Sequence, residues 1–183
     1  MGFIVVTGPK HSGKTTVGRE LARRLSSPFF DLDRLIEERS GKSPRILYKT
    51  GPDIFRREEE AALAALLEDT SCPLGVIAAG GGIADNPAAM ALLRAAAKPG
   101  TAKLIIVYLD VSAGTAWQRI SGAGELPPFL QAESPELSQE KHRLLHQRRA
   151  KIYREAAAFT VSAEGKNPLE ISGELCGLIE KIS

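Results

Sequence analysis

Gly8-Pro9-Lys10-His11-Ser12-Gly13-Lys14-Thr15 is the stretch that decides how this chain of 183 residues is read. It fits G-x-x-x-x-G-K-[ST], a pattern that chance would place in roughly one chain in a hundred of this length. Phe3-Ile4-Val5-Val6-Thr7 precedes it, short, apolar and uncharged, and Lys14 to about Leu25 reads as a helix after it. A strand that breaks into glycine and re-enters a helix lets successive amide N–H groups converge on phosphate oxygens. The helix N-terminus adds its positive dipole end. In such a loop Lys14 reaches the β- and γ-phosphates of ATP, and the Thr15 hydroxyl ligates Mg2+. Gly8, Lys10, Ser12, Gly13 and Thr16 complete the expected nucleotide-binding set.

Outward from the loop, short apolar runs alternate with helical stretches. Pro28 to Asp31 reads as a second short strand ending in acids. Arg34 to Arg39 reads as a helix stopped by Gly41, and Ser43 to Lys49 as another short one. Asp53 is expected to cap a long helix through Leu67. Gly75 to Ala79 is a third strand, running into Gly80-Gly81-Gly82, and an alanine-rich helix follows from Pro87 to Ala97. Leu104 to Leu109 is a continuous apolar run of the kind found in a central parallel strand. Asp110 then reads as a cap for a helix from Ala113 to Ile120, in preference to a magnesium-side acid. Residues 121–138 hold two glycines and three prolines and are expected to form a mobile lid. Helix from Gln139 to Ala157, a strand from Phe159 to Ser162 and a closing helix from Pro168 to Ile182 complete the chain. This alternation predicts one α/β domain over 1–183, three-layered, a central parallel β-sheet with helices on both faces.

Composition excludes other classes. Twenty-four basic against 22 acidic residues leave a net charge of +2, and aromatics are 5% of the chain. Neither bulk attraction to nucleic acid nor a stacking platform for it is expected. No run of about twenty apolar residues is present to cross a membrane. Cys72 and Cys176 lack metal-ligand spacing and read as reduced thiols of a cytoplasmic protein. Small-molecule substrates and a monomeric state are the expectation.

The phosphoryl acceptor has to be read from elsewhere. A guanine-reading N-K-x-D segment is absent. Alternation in an extended Phe30-Asp31-Leu32-Asp33 puts Asp31 and Asp33 on one side. One can face magnesium while the other takes a proton or hydrogen bond from a hydroxyl, although helix-capping acids suit the same pattern. Arg56 and Glu59 share a helix face, so that a carboxylate could hold an arginine fork ready for a substrate carboxylate. A solvated charged face fits those residues too. Gly80-Gly81-Gly82 permits close backbone approach, or is a plain turn. Arg149 to Tyr153 offers a second carboxylate receptor, or an exposed basic patch.

Taken together, the order and spacing of these segments resemble the shikimate kinase family, a branch of the small P-loop kinases. That family's pattern is a P-loop, F-x-D-x-D, G-x-x-I…F-R-x-x-E, G-G-G, a lid and R-x-x-x-Y. The matching segments here are Gly8 to Thr15, Phe29 to Asp33, Gly41 with Phe55 to Glu59, Gly80 to Gly82, and Arg149 to Tyr153. The resemblance implies that Asp33 contacts the acceptor hydroxyls and serves as base, while Asp31 sits behind magnesium. It implies that Arg56 and Arg149 grip the acceptor carboxylate, that Gly80, Gly81 and Gly82 offer backbone contacts, and that Arg119 lies near adenine.

One departure stands out. The family lid carries an arginine before a proline, and this chain has Glu125-Leu126-Pro127-Pro128 there. Lys10, Arg143, Arg148 or Lys151 could stand in for it, the enzyme could be slow, or the acceptor could differ. A gluconate-type sugar-acid kinase and a nucleotide-binding module without catalysis are the rival readings.

Overall fold

Phe3–Thr7 (β1) is buried along its whole length, and its side chains divide by parity between two cores. Phe3 and Val5 join one apolar cluster, Ile4 and Val6 the other. A strand that is apolar on both faces has to be covered twice, so helices must lie above and below its sheet.

The computed structural model describes residues 2–69, 74–97 and 104–181. The other strands are Phe29–Asp31 (β2), Gly75–Ala78 (β3), Leu104–Asp110 (β4) and Phe159–Ser162 (β5). They form one parallel sheet in the order β2-β3-β1-β4-β5. The helices are Lys14–Arg24 (α1), Leu32–Ser40 (α2), Pro44–Thr50 (α3), Pro52–Glu68 (α4), Pro87–Ala96 (α5), Ala113–Ser121 (α6), Pro135–Ala156 (α7) and Pro168–Glu180 (α8). Ile36 of α2, Leu63 of α4, Leu93 of α5 and Tyr153 of α7 cover one face of the sheet. Leu21 of α1, Ala116 of α6 and Leu175 of α8 cover the other. The expected α/β architecture is therefore the observed one.

Chain order in the sheet turns round at β1, whose neighbours are β3 on one side and β4 on the other. The crevice at the carboxyl ends of such strands is where α/β sheets place their ligands. The glycine-rich loop leaves β1 at that crevice and closes into α1.

Several local expectations are corrected. Asp53 does not cap α4: Gly51 holds that position, Pro52 starts the helix, and Asp53 sits in the first turn. Asp110 is not the cap of α6 either. Ser112 is, accepting from the Thr115 amide, while Asp110 ends β4 and accepts from the Tyr108 hydroxyl and Arg154. The chain turns helical directly after Asp31, so Asp33 lies in the first turn of α2 and not in extended chain. Helix α7 begins at Pro135, capped by Ser134, which shortens the connection after α6 to residues 122–134; it includes a 3-10 turn at Pro128–Leu130. Cys72 lies outside the described residues, as does the end of the closing helix at Ile182; Cys176 is free and half-buried.

Gly8 shows how tightly the loop is built into the sheet. Its φ is 149°, and a β-carbon there would stand 2.7 Å from the Leu109 carbonyl oxygen and 2.8 Å from Ser12 Oγ. Gly8→Ala should therefore destabilise the fold by about 2 kcal/mol or more. Urea denaturation followed by circular dichroism measures this, and a midpoint equal to that of the unmodified chain would contradict it.

Candidate active site

The phosphate loop is held open by its own backbone. His11 takes a left-handed conformation (φ 59°) and Gly13, at φ 98°, turns the chain into α1. Ser12 is buried and its hydroxyl has no partner among the described residues, an orphaned donor inside a loop of anion-binding shape. The Lys14 ammonium, also buried, donates to the Pro9 carbonyl at 2.7 Å. Burial lowers the Lys14 pKa to about 8, against the opposing pull of Asp33 and Asp31.

Asp31 joins this loop to the next segment. Its Oδ2 accepts from the Thr15 hydroxyl at 3.0 Å, and its Oδ1 accepts from the Asp33 amide at 3.2 Å as the cap of α2. Asp33 is exposed to the cleft, and the groups packed round it take part of the water from its carboxyl. Desolvation first, and the Asp31 charge second, push its pKa up, with Lys14 and Lys10 pulling the other way.

Gly80 explains why a side chain is missing opposite these acids. A β-carbon there would lie 3.0 Å from Asp33 Oδ1 and 3.0 Å from Glu59 Oε1. Glu59 is wholly buried. Its Oε2 accepts from Asn86 Nδ2 at 3.0 Å, while Oε1 has no partner among the described residues. Desolvation raises the Glu59 pKa to about 7, in spite of the Asn86 hydrogen bond.

The glycine turn is pinned from α7. Arg149 Nη1 and the Tyr153 hydroxyl both donate to the Gly81 carbonyl, at 3.1 and 3.0 Å. Their i, i+4 spacing, that of the R-x-x-x-Y segment, puts them on one helix face. Asp85 clamps the same guanidinium through Nε at 3.2 Å and Nη2 at 2.7 Å, and Phe129 lies 5.2 Å beneath it.

Lys10, Lys14, Thr15, Asp31, Asp33 and Gly80 to Gly82 thus line one cleft of about 270 Å3. Pro44, Arg45, Tyr48, Phe55, Pro127, Pro128 and Phe129 close its other side, and sequence reasoning had named none of these as site residues. Arg149 borders it beside Gly82. Arg56 does not pair with Glu59 as expected. It pairs with Asp53 at 2.7 Å, because Glu59 turns inward to Asn86, whose Nδ2 also caps the Arg56 carbonyl. Arg119 Nη1 donates to the His11 carbonyl at 3.2 Å, beside the loop. Thr16 is exposed and lines a separate shallow groove with Arg19 and Asn167. Among the stand-ins for a lid arginine, Arg143 pairs with Glu140, Arg148 with Asp85 and Lys151 with Glu155, whereas Lys10 lines the cleft.

A phosphate loop facing paired carboxylates at the carboxyl edge of a parallel sheet defines a P-loop kinase of small molecules. The model of the shikimate kinase family matches residues 10–180, and the chain belongs to that family. A shikimate kinase of Paracidovorax citrulli is 40% identical over 90% of this chain and 84% of its own. One from Mycobacterium tuberculosis is 36% identical over 90% of this chain and 85% of its own. A solved shikimate kinase from Acinetobacter baumannii, in complex with shikimate, superposes with a TM-score of 0.84 at 30% identity, covering 100% of this chain and 95% of that one. No helix among the described residues is long and apolar enough to cross a membrane.

Glu59 gives this site a signature in pH. Its carboxyl has a pKa of 4.5 in an ordinary setting and about 7 in the folded chain. Below the lower value both states hold the proton and the group costs nothing. As pH rises from 4.5 to about 7 the unfolded state ionises while the folded state holds its proton, so stability falls over that range and levels off above it. Glu59→Gln should then stabilise the fold by about 1–3 kcal/mol near pH 8 and by little near pH 5. Paired denaturation curves at the two pH values measure the difference, and equal gains at both would contradict the assignment.

Proposed function

We propose that this chain transfers the γ-phosphoryl group of ATP to the 3-hydroxyl of shikimate, with Asp33 at the acceptor hydroxyl. The observation that carries this is the Asp31 carboxylate bridging the Thr15 hydroxyl and the Asp33 amide. That bridge registers the phosphate loop against an acid whose raised pKa makes it a better base than an ordinary aspartate. Membership of the shikimate kinase family supports the acceptor.

The loop amides and the unpartnered Ser12 hydroxyl bind the triphosphate, and Lys14 leaves the Pro9 carbonyl for it. An anion there holds the ammonium charged. The residues fit Mg2+: Thr15 and Asp31 present a hydroxyl and a carboxylate side by side. No group of three or more His, Cys, Asp or Glu side chains is gathered for a metal among the described residues. Such a sparse oxygen set suits an ion that keeps waters and substrate phosphates as its other ligands. When bound, it neutralises charge on the β- and γ-oxygens. On the acceptor side, Gly80 to Gly82 offer backbone groups to ring hydroxyls, and Arg149 and Arg56 supply positive charge for the carboxylate. Residues 122–134 act as the lid that excludes water. Lys10 stands ready beside the transferred group.

A gluconate-type acceptor draws less support. A gluconokinase from Sinorhizobium meliloti superposes with a TM-score of 0.58 at 23% identity, a likeness of fold. ADP release, coupled to a reporter, should require shikimate and Mg2+, and gluconate should not replace shikimate. Asp33→Asn should lower kcat by about 10²–10⁴-fold, while Arg149→Ala should chiefly raise the KM for shikimate. Release that ignores shikimate would overturn the proposal.

A further inference from the structure

Residues 122–134 contain two acids, Glu125 and Glu133, and no lysine, arginine or histidine. A cover of that composition brings no cation to a cleft made for anions. It has to be tied down by positive charge from the body of the protein. One such charge lies across the cleft. Arg45, in the first turn of α3, lines the pocket, and its Nη2 is shielded from solvent. Glu125 Oε2 lies 2.6 Å from that nitrogen, an ion-pair contact that falls outside hydrogen-bond geometry.

We infer that Arg45 is a positioning residue for the lid: it holds Glu125 and so sets how residues 122–134 close over the cleft. The inference rests on the reading of that segment as the lid of a kinase. Two further contacts make the pair more than a chance surface bridge. Glu125 is braced within its own segment, since its Oε1 accepts from Gln131 Nε2 at 3.2 Å, and that amide also donates to the Leu126 carbonyl at 3.3 Å. The carboxylate is thus aimed before Arg45 meets it. Three residues along α3, on the same helix face, Tyr48 meets Phe129 edge to face with ring centroids 5.7 Å apart. Lid and helix therefore touch at one charged and one aromatic point, and two points fix an orientation where one leaves a swivel.

The charged point is the adjustable one. The Arg45 side chain is 39% exposed and that of Glu125 67%, so added salt reaches the pair and weakens it. An ion pair in such a setting contributes little to global stability. Its effect falls on the local equilibrium between open and closed lid, where a small energy changes populations measurably.

Hydrogen–deuterium exchange on the full chain without substrates, followed in peptides covering 122–134, tests this directly. Arg45→Gln and Glu125→Gln should each speed exchange there by about fivefold, the size expected for losing a partly exposed pair. The swap Arg45→Glu with Glu125→Arg should restore protection, and α5 and α8 should be unchanged throughout. In turnover assays the single variants should raise the acceptor KM with a smaller change in kcat, and added salt should reproduce that rise in the unmodified chain but not in Arg45→Gln. Unchanged exchange in the single variants, or a swap no better than either, would overturn the inference. Because exchange needs no turnover, loss of protection in a chain without shikimate-dependent activity would sink the proposed reaction and leave the latch standing.

Discussion

Asp31 occupies the point where β2 ends and α2 begins, and its two carboxylate oxygens serve different elements. One receives the Thr15 hydroxyl from the start of α1; the other receives the amide of Asp33 and so starts α2. Through this side chain the phosphate half of the cleft and the acceptor half share a coordinate. Lose it, and the loop after β1 and the turn after β2 would each still fold on its strand, but nothing would set the distance between them. Its negative charge also helps to keep Asp33 weakly acidic. Geometry and basicity therefore come from one group.

The far wall is built on a similar economy of parts. The Gly81 carbonyl takes hydrogen bonds from both Arg149 and Tyr153, so the glycine turn after β3 inherits its position from α7. Asp85, just past the turn, returns the contact by holding the Arg149 guanidinium. A turn without side chains can lie close to Asp33 and Glu59, and a distant helix gives it the rigidity that its own residues lack. Phe129 beneath the same guanidinium links this wall to the cover above it.

What could be read from the sequence followed from how locally each feature is determined. The phosphate loop was legible because eight contiguous residues carry it, with a strand before and a helix after. The run Leu104 to Leu109 declared a central strand because burial on both faces leaves no polar alternation. Arg149 and Tyr153 were legible through the R-x-x-x-Y segment of the family resemblance, which did not reveal that both donate to a backbone carbonyl. Arg56 has an acid three residues away on either side, Asp53 and Glu59, and helix geometry favours neither. The choice is made by Asn86, which draws Glu59 inward and is thirty residues away from Arg56. Asp85 as the partner of Arg149, and Arg45 as that of Glu125, join segments with no local pattern in common. Asp110 and Ser112 both suit a helix cap by residue type, and the position goes to Ser112 because Tyr108 and Arg154 occupy the Asp110 carboxylate.

The strand order has a consequence for how the chain is made. The earliest of the five strands is the centre of the sheet, and both of its partners come much later: Phe3 pairs with Gly75 on one side and with Leu104 on the other. Until then an apolar ribbon with two open edges has left the ribosome with no lasting neighbour, a condition in which strands stick to the wrong chains. At five residues, β1 is short enough to limit that exposure. The phosphate-binding loop that leaves this strand can thus reach its working shape only after β4 has been synthesised.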